Sequence, residues 1–137
     1  MKIRIPFTTH SDSEGDHVPG FYAQTIEAGV TGYLESIQYI PDATAPIGSN
    51  ADMALFSVNN LADEDQFPIW QTSNVSSSFW HQPRFPTHKS SDGTAISSQY
   101  APLYLSGDPL IFVIDDSSDN PTGGTSGVIL LRFSHSR

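Results

Sequence analysis

Every apolar run in this chain is short. Thr31 to Ile40, Asp52 to Val58, Phe67 to Asn74, Leu110 to Ile114 and Val128 to Phe133 are separated by stretches rich in Pro, Gly, Asp, Asn and Ser. A helix would need apolar residues recurring every three or four positions over a longer span. The single candidate, Ala51 to Asn60, alternates instead and ends in Asn59-Asn60, so it too predicts a strand. Alternation places Tyr33, Glu35, Ile37 and Tyr39 on one face of Thr31–Ile40, with Leu34, Ser36, Gln38 and Ile40 on the other. Leu110–Ile114 (LIFVI) is apolar throughout, which predicts burial on both sides, and Val128–Phe133 (VILLRF) is its expected pairing partner.

Shorter strands are predicted at Ser76 to Trp80, Ile96 to Tyr100 and Pro102 to Leu105, with a turn at Asp92-Gly93. Seven or eight antiparallel strands at such intervals describe an all-β, single-domain, jelly-roll-like β-sandwich. Lys2 to Phe7 (KIRIPF) also has strand character. His10 to Gly20 (HSDSEGDHVPG) is charged and poor in apolar residues, which predicts an extended N-terminal arm or long loop. The expected division is a strand and acidic arm over 1–30 and the sandwich over 31–137.

A chain of 137 residues is one domain's worth, and its 15 aromatic residues (Phe, Trp and Tyr) suffice for a core. Its 15 Asp and Glu against 6 Lys and Arg give a formal charge of −9. That balance argues against nucleic acid as a partner, because phosphate contacts need clustered cations. With no cysteine there is no disulfide, zinc-thiolate site or thiol nucleophile. No stretch approaches the ~20 apolar residues of a membrane span. After Lys2 and Arg4 come Pro6, Thr8, Thr9 and His10, not a signal-peptide apolar region, so the mature protein is expected to begin at Met1.

Chemistry-bearing clusters are few. His10, Asp12, Glu14, Asp16 and His17 offer metal-ligand types, but their spacing fits neither an EF-hand nor a zinc-protease motif. Asp115, Asp116 and Asp119, following a buried strand with Asn120 nearby, form a calcium candidate, although Asx turns use the same residues. Gly124-Thr125-Ser126-Gly127 is not a nucleophile elbow, and Glu27 with Glu35 has no support as a glycosidase pair beyond residue type. No enzyme and no cofactor are expected. Trp70, Phe79, Trp80, Tyr100 and Tyr104 are candidates for a carbohydrate-stacking platform, or for the core.

From Tyr33 to Phe133 the chain carries a recognisable succession. Ile37-x-Tyr39 is followed by Trp70-x-Thr72-x-Asn74-Val75, Pro83-Arg84 and Asp92-Gly93-Thr94. Pro102-Leu103-Tyr104-Leu105 comes next, then Asp108 leading into Leu110–Ile114, a Gly-rich turn and a final apolar strand. This pattern resembles a family of small all-β virion structural proteins of tailed bacteriophages. Asp-Pro-Leu stands where relatives tend to carry a basic residue, and the acidic arm lies outside the pattern.

The resemblance implies a non-catalytic capsid decoration or cement protein, made in the host cytoplasm and placed on the capsid surface. Its implied partners are the major capsid protein and further copies of itself, as a trimer or dimer. A neck or tail component and a carbohydrate-binding module are the alternatives. Lys2, Ile3, Arg4, Ile5 and Phe7 are the candidate partner-binding residues, because a strand with two cations suits addition to a neighbouring sheet edge. An ordinary edge strand of its own domain is the alternative for that segment.

Overall fold

The computed structural model describes residues 1–10, 20–26, 30–48, 51–57, 68–101, 103–107, 109–116 and 124–134, and among them there is no helix. The strands are β1 (Lys2–Thr8), β2 (Phe21–Ile26), β3 (Thr31–Pro41), β4 (Ala51–Ser57), β5 (Pro68–Val75) and β6 (Phe79–His81). They continue with β7 (Phe85–His88), β8 (Ala95–Ala101), β9 (Leu103–Ser106), β10 (Leu110–Asp115) and β11 (Ser126–Ser134). The count exceeds the expected seven or eight because β1 and β2, from the first thirty residues, and the four-residue β7 add to the strands expected after residue 30.

A five-stranded sheet has the order β1-β11-β3-β6, with β9 also paired to β3, and a four-stranded sheet has the order β2-β10-β4-β5. All their pairings are antiparallel. β9 lies along Thr31–Leu34 and β6 along Ile37–Tyr39, so the two share one edge of β3. Of the first thirty residues, β1 joins the first sheet beside β11 and β2 joins the second beside β10. At the base of the charged segment, the Gly20 N–H donates to the His10 carbonyl (2.8 Å) and the His10 N–H to that of Phe21 (3.1 Å). Residues 11–19 lie outside the described residues. So do Glu27, Val58 to Phe67, Pro102, Asp108 and residues 117–123.

The expected pairing of Leu110–Ile114 with Val128–Phe133 does not occur. β10 lies between β2 and β4, and β11 between β1 and β3 in the other sheet. Each sheet centres one strongly apolar strand and turns its inner face toward the core, as sandwich packing favours. Nor is β10 buried equally on both sides. Leu110, Phe112 and Ile114 are buried, while Ile111 and Val113 are half-buried on the outer face.

The simple alternation expected of β3 also fails. Leu34 and Ile37 are both fully buried, although residues three positions apart point to opposite faces of a regular strand. Arg132 pairs with Ser36 and Phe133 with Leu34, leaving Glu35 as the extra residue of a β-bulge. The bulge changes the strand's phase, so Leu34 serves the core before it and Ile37 and Tyr39 after it.

Inward side chains from both sheets form one core. A run of rings, Tyr22, Phe7, Tyr39, Phe79 and Trp70, crosses it with successive centroids 5.8–6.2 Å apart. Gly127 on β11 lies within this packing. A Cβ there would sit 2.8 Å from Tyr39 Cε1 and 2.9 Å from the Ile40 carbonyl oxygen, closer than packed atoms tolerate.

β7 and β8 form a separate two-stranded hairpin. Its turn carries Gly93 at φ 74°, a conformation that favours glycine. Asp92 Oδ1 accepts the Thr94 N–H at 3.0 Å and the Thr94 hydroxyl at 2.8 Å. These bonds hold the Asp92 carboxyl below its ordinary value. Asp42 is likewise lowered, by the Thr44 hydroxyl first and then by the Thr44 and Ala45 N–H groups. A lowered folded-state pKa means stabilisation that is complete above the unfolded pKa and lost as pH falls through the folded value. A carboxyl-detected NMR titration should therefore place both midpoints below the ordinary carboxylate range of about 4. Both turns should loosen only in acid.

Candidate interaction surface

The outer face of the five-stranded sheet is set by its register. One row across it reads Arg4, Leu130, Gln38, Trp80. On one side lies the row Lys2, Arg132, Ser36, and on the other Pro6, Val128, Ile40. Tyr33 and Tyr104 pair on the same face near the bulge, ring edge toward ring face, with centroids 5.2 Å apart. Trp80 is 61% exposed and Tyr104 51%, so these rings are presented to the outside.

Arg132 is held in place on this face. Its guanidinium carbon lies 5.3 Å from the Trp80 ring centroid, and Nη1 donates to Gln38 Oε1 at 2.9 Å. The ring face attracts the cation, and the Gln38 bond holds one of its nitrogens. Arg132 thus reaches from β11 across β3 toward β6, while Lys2, its register partner, and Arg4 stand on β1 on the other side of β11. The five strands carry three of the chain's six Lys and Arg, and Glu35 is their single acidic residue. Glu35 accepts a hydrogen bond from the Ser134 hydroxyl. By contrast, the strands of the four-stranded sheet carry Asp52 and Asp115 and no Lys or Arg.

At the Pro6, Val128, Ile40 row, next to the Arg4 row, these residues with Phe7, Pro41, Asp42, Ala43, Ser126 and Gly127 line an open groove of about 340 Å³. A second, of about 300 Å³, lies at Pro68, Ile69, Trp70, Gln71, Pro83 and Arg84.

Of the sequence-predicted partner residues, Lys2 and Arg4 are exposed on this face. Ile5 and Phe7 point the other way and are buried in the core, and Ile3 packs partly against it. β1 is an edge strand of its own sheet, leaving one edge without a strand partner among the described residues. Sequence reasoning missed Arg132 and Gln38, and it named Trp80 only as a candidate sugar-stacking ring or core residue. They are far apart in the chain, and register alone brings them together.

The aromatic candidates separate. Trp70 is 9% exposed and belongs to the core, and Phe79 packs against that core. Trp80 and Tyr104 are on the outer face, whereas Tyr100 is exposed on β8. Acrylamide quenching should accordingly resolve one accessible and one protected tryptophan, with Trp80→Phe removing the accessible one. Equal protection of both would contradict this placement.

The aspartates after β10 also part company. Asp115 is exposed at the end of β10 and Asp116 is fully buried, while Asp119 lies outside the described residues. Among the described residues no three His, Asp or Glu side chains are placed to hold a metal ion. Asp116 instead ties the ends of several strands. Its N–H donates to the Gly20 carbonyl (2.8 Å), and Oδ2 accepts the Gly48 N–H (3.0 Å) and the Thr125 hydroxyl (3.3 Å). The Thr125 N–H donates to Thr9 Oγ1 at 2.8 Å, and the Thr9 hydroxyl in turn donates to Thr125 Oγ1 at 3.0 Å. Asp116 Oδ1 has no hydrogen-bond partner among the described residues.

Compared with family models, curated proteins and solved structures, the chain matches none.

Proposed function

We propose that this chain is a structural virion protein of a tailed bacteriophage, a decoration or cement protein that binds the assembled capsid lattice. The observation that carries this function is the outer face of the five-stranded sheet. Cations, exposed rings and a groove lined largely by apolar residues, with Asp42 and Ser126 among them, share one surface built mainly on paired strands. Such a surface suits protein docking, where aromatic and Arg anchors dominate.

Two further points support it. β1 pairs with β11, β2 with β10, β3 with β6 and β4 with β5. We read these nested pairs as jelly-roll wiring, an architecture used in viral capsid and lectin domains. The segments Trp70–Val75 and Asp108–Ile114 resemble phage virion proteins, as set out above. A protein of this kind stabilises a shell because it binds the assembled lattice and not the dispersed subunits. Symmetry repeats each modest contact many times.

Quantitative mass spectrometry of gradient-purified particles tests this function. A fixed copy number per head is expected, and absence from the particles would refute it. Recovery with isolated tails instead would assign the chain to the neck or tail. Exposed Trp80 favours one other function, a carbohydrate-binding module. Glycan-array binding lost in Trp80→Ala, by a protein absent from particles, would establish that one instead.

A further inference from the structure

We infer that the outer face of the five-stranded sheet docks onto a carboxylate-rich protein surface, with Lys2, Arg4 and Arg132 as its charge anchors. This deepens the proposed function and rests on it for the identity of the partner, not for the chemistry. The argument is charge complementarity. Half of the chain's cations lie on five strands that carry one carboxylate, in a molecule of formal charge −9. The rest of the chain therefore sums to −11, since −9 less the +2 of these strands leaves that value. Clustering against such a background creates a local field opposite in sign to the molecule's.

Arg132 is the decisive group. Gln38 and Trp80 hold its guanidinium, so little side-chain entropy is lost when a carboxylate meets its free edge. Nucleic acid fits the face less well, because three cations are too few to follow a run of phosphates and the exposed rings and groove would go unused. Face-to-face pairing of two copies would set Lys2, Arg4 and Arg132 against the same three cations. A carboxylate-bearing surface with one apolar side chain for the groove at Pro6, Ile40 and Val128 meets neither objection.

The test uses the full chain, with poly-L-glutamate as the probe and purified heads as the second arm. Wild type should bind poly-L-glutamate at low salt and release it as salt rises. Lys2→Glu with Arg4→Glu, both exposed and able to change without unpacking the core, should weaken binding about tenfold or more, and Arg132→Glu further. Lys89→Glu, on the hairpin, should leave it unchanged. No binding at low salt, or equal loss in Lys89→Glu, would overturn the inference. Self-association that is lost in the Lys2/Arg4 variant, without binding to the polymer, would assign the face to a second copy and also overturn it. Wild-type retention of the charge variants on heads would overturn the inference while leaving the virion function intact. Polymer binding through this face without retention on heads would do the reverse.

Discussion

Replacing Phe112 by alanine is expected to destabilise the fold by about 4 kcal/mol, the cost of removing a fully buried aromatic side chain and leaving a cavity. Phe112 is fully buried on β10, the strand flanked on both sides in the four-stranded sheet. No edge allows the site to collapse around the lost ring. Val113, its neighbour, is half-buried on the opposite face. Val113→Ala should therefore cost only about 1 kcal/mol. Urea denaturation of the two variants reads the difference as a shift in midpoint. Equal losses would mean that β10 is covered on both sides, as its unbroken apolar run first suggests.

Asp116→Ala should cost about 3 kcal/mol, because it strands buried donors rather than merely removing a contact. The Gly48 N–H and the Thr125 hydroxyl both donate to Oδ2, and Thr125 is linked in turn to Thr9. Losing the carboxylate thus unties residues beside β1, β10 and β11 together. Asp116→Asn keeps an acceptor oxygen for the same two donors and should lie between wild type and alanine. Hydrogen exchange should show the loss first at Gly48 and Thr125. A change within about 0.5 kcal/mol for Asp116→Ala, typical of a surface position, would contradict this role.

Much of the strand pattern was legible because period-2 alternation and breaker residues are local properties. β3, β4 and β10 match the expected Thr31–Ile40, Asp52–Val58 and Leu110–Ile114 to within one residue at either end. Pairing was not legible in the same way. β10 and β11 are both apolar and close in sequence, yet nothing local says whether two such strands lie side by side or face each other across a core. The bulge at Glu35 was hidden for a similar reason, since it is defined by the partner strand and not by β3 itself.

The same division holds for the surface. Lys2 and Arg4 could be singled out because two cations stand together on an acidic chain. Ile5 and Phe7 were grouped with them by proximity, whereas the pleat sends them to the core. Arg132, Gln38 and Trp80 join the site only through the register of β11, β3 and β6. Asp116 was noticed as a possible cation ligand, and its burial and partners give it a structural role. A carboxylate between a buried strand and a turn looks alike in both roles until its donors are known.

Carbodiimide cross-linking on intact particles, read by mass spectrometry, tests the central claim most directly, because it joins lysine amines to carboxylates in contact. The chain has two lysines, Lys2 on the outer face and Lys89 in the hairpin turn between β7 and β8. Cross-links from Lys2 to Asp or Glu of the capsid protein, with none from Lys89, are the predicted result. Cross-links from Lys89 alone, or particles that contain the protein with Lys2 unlinked, would contradict it.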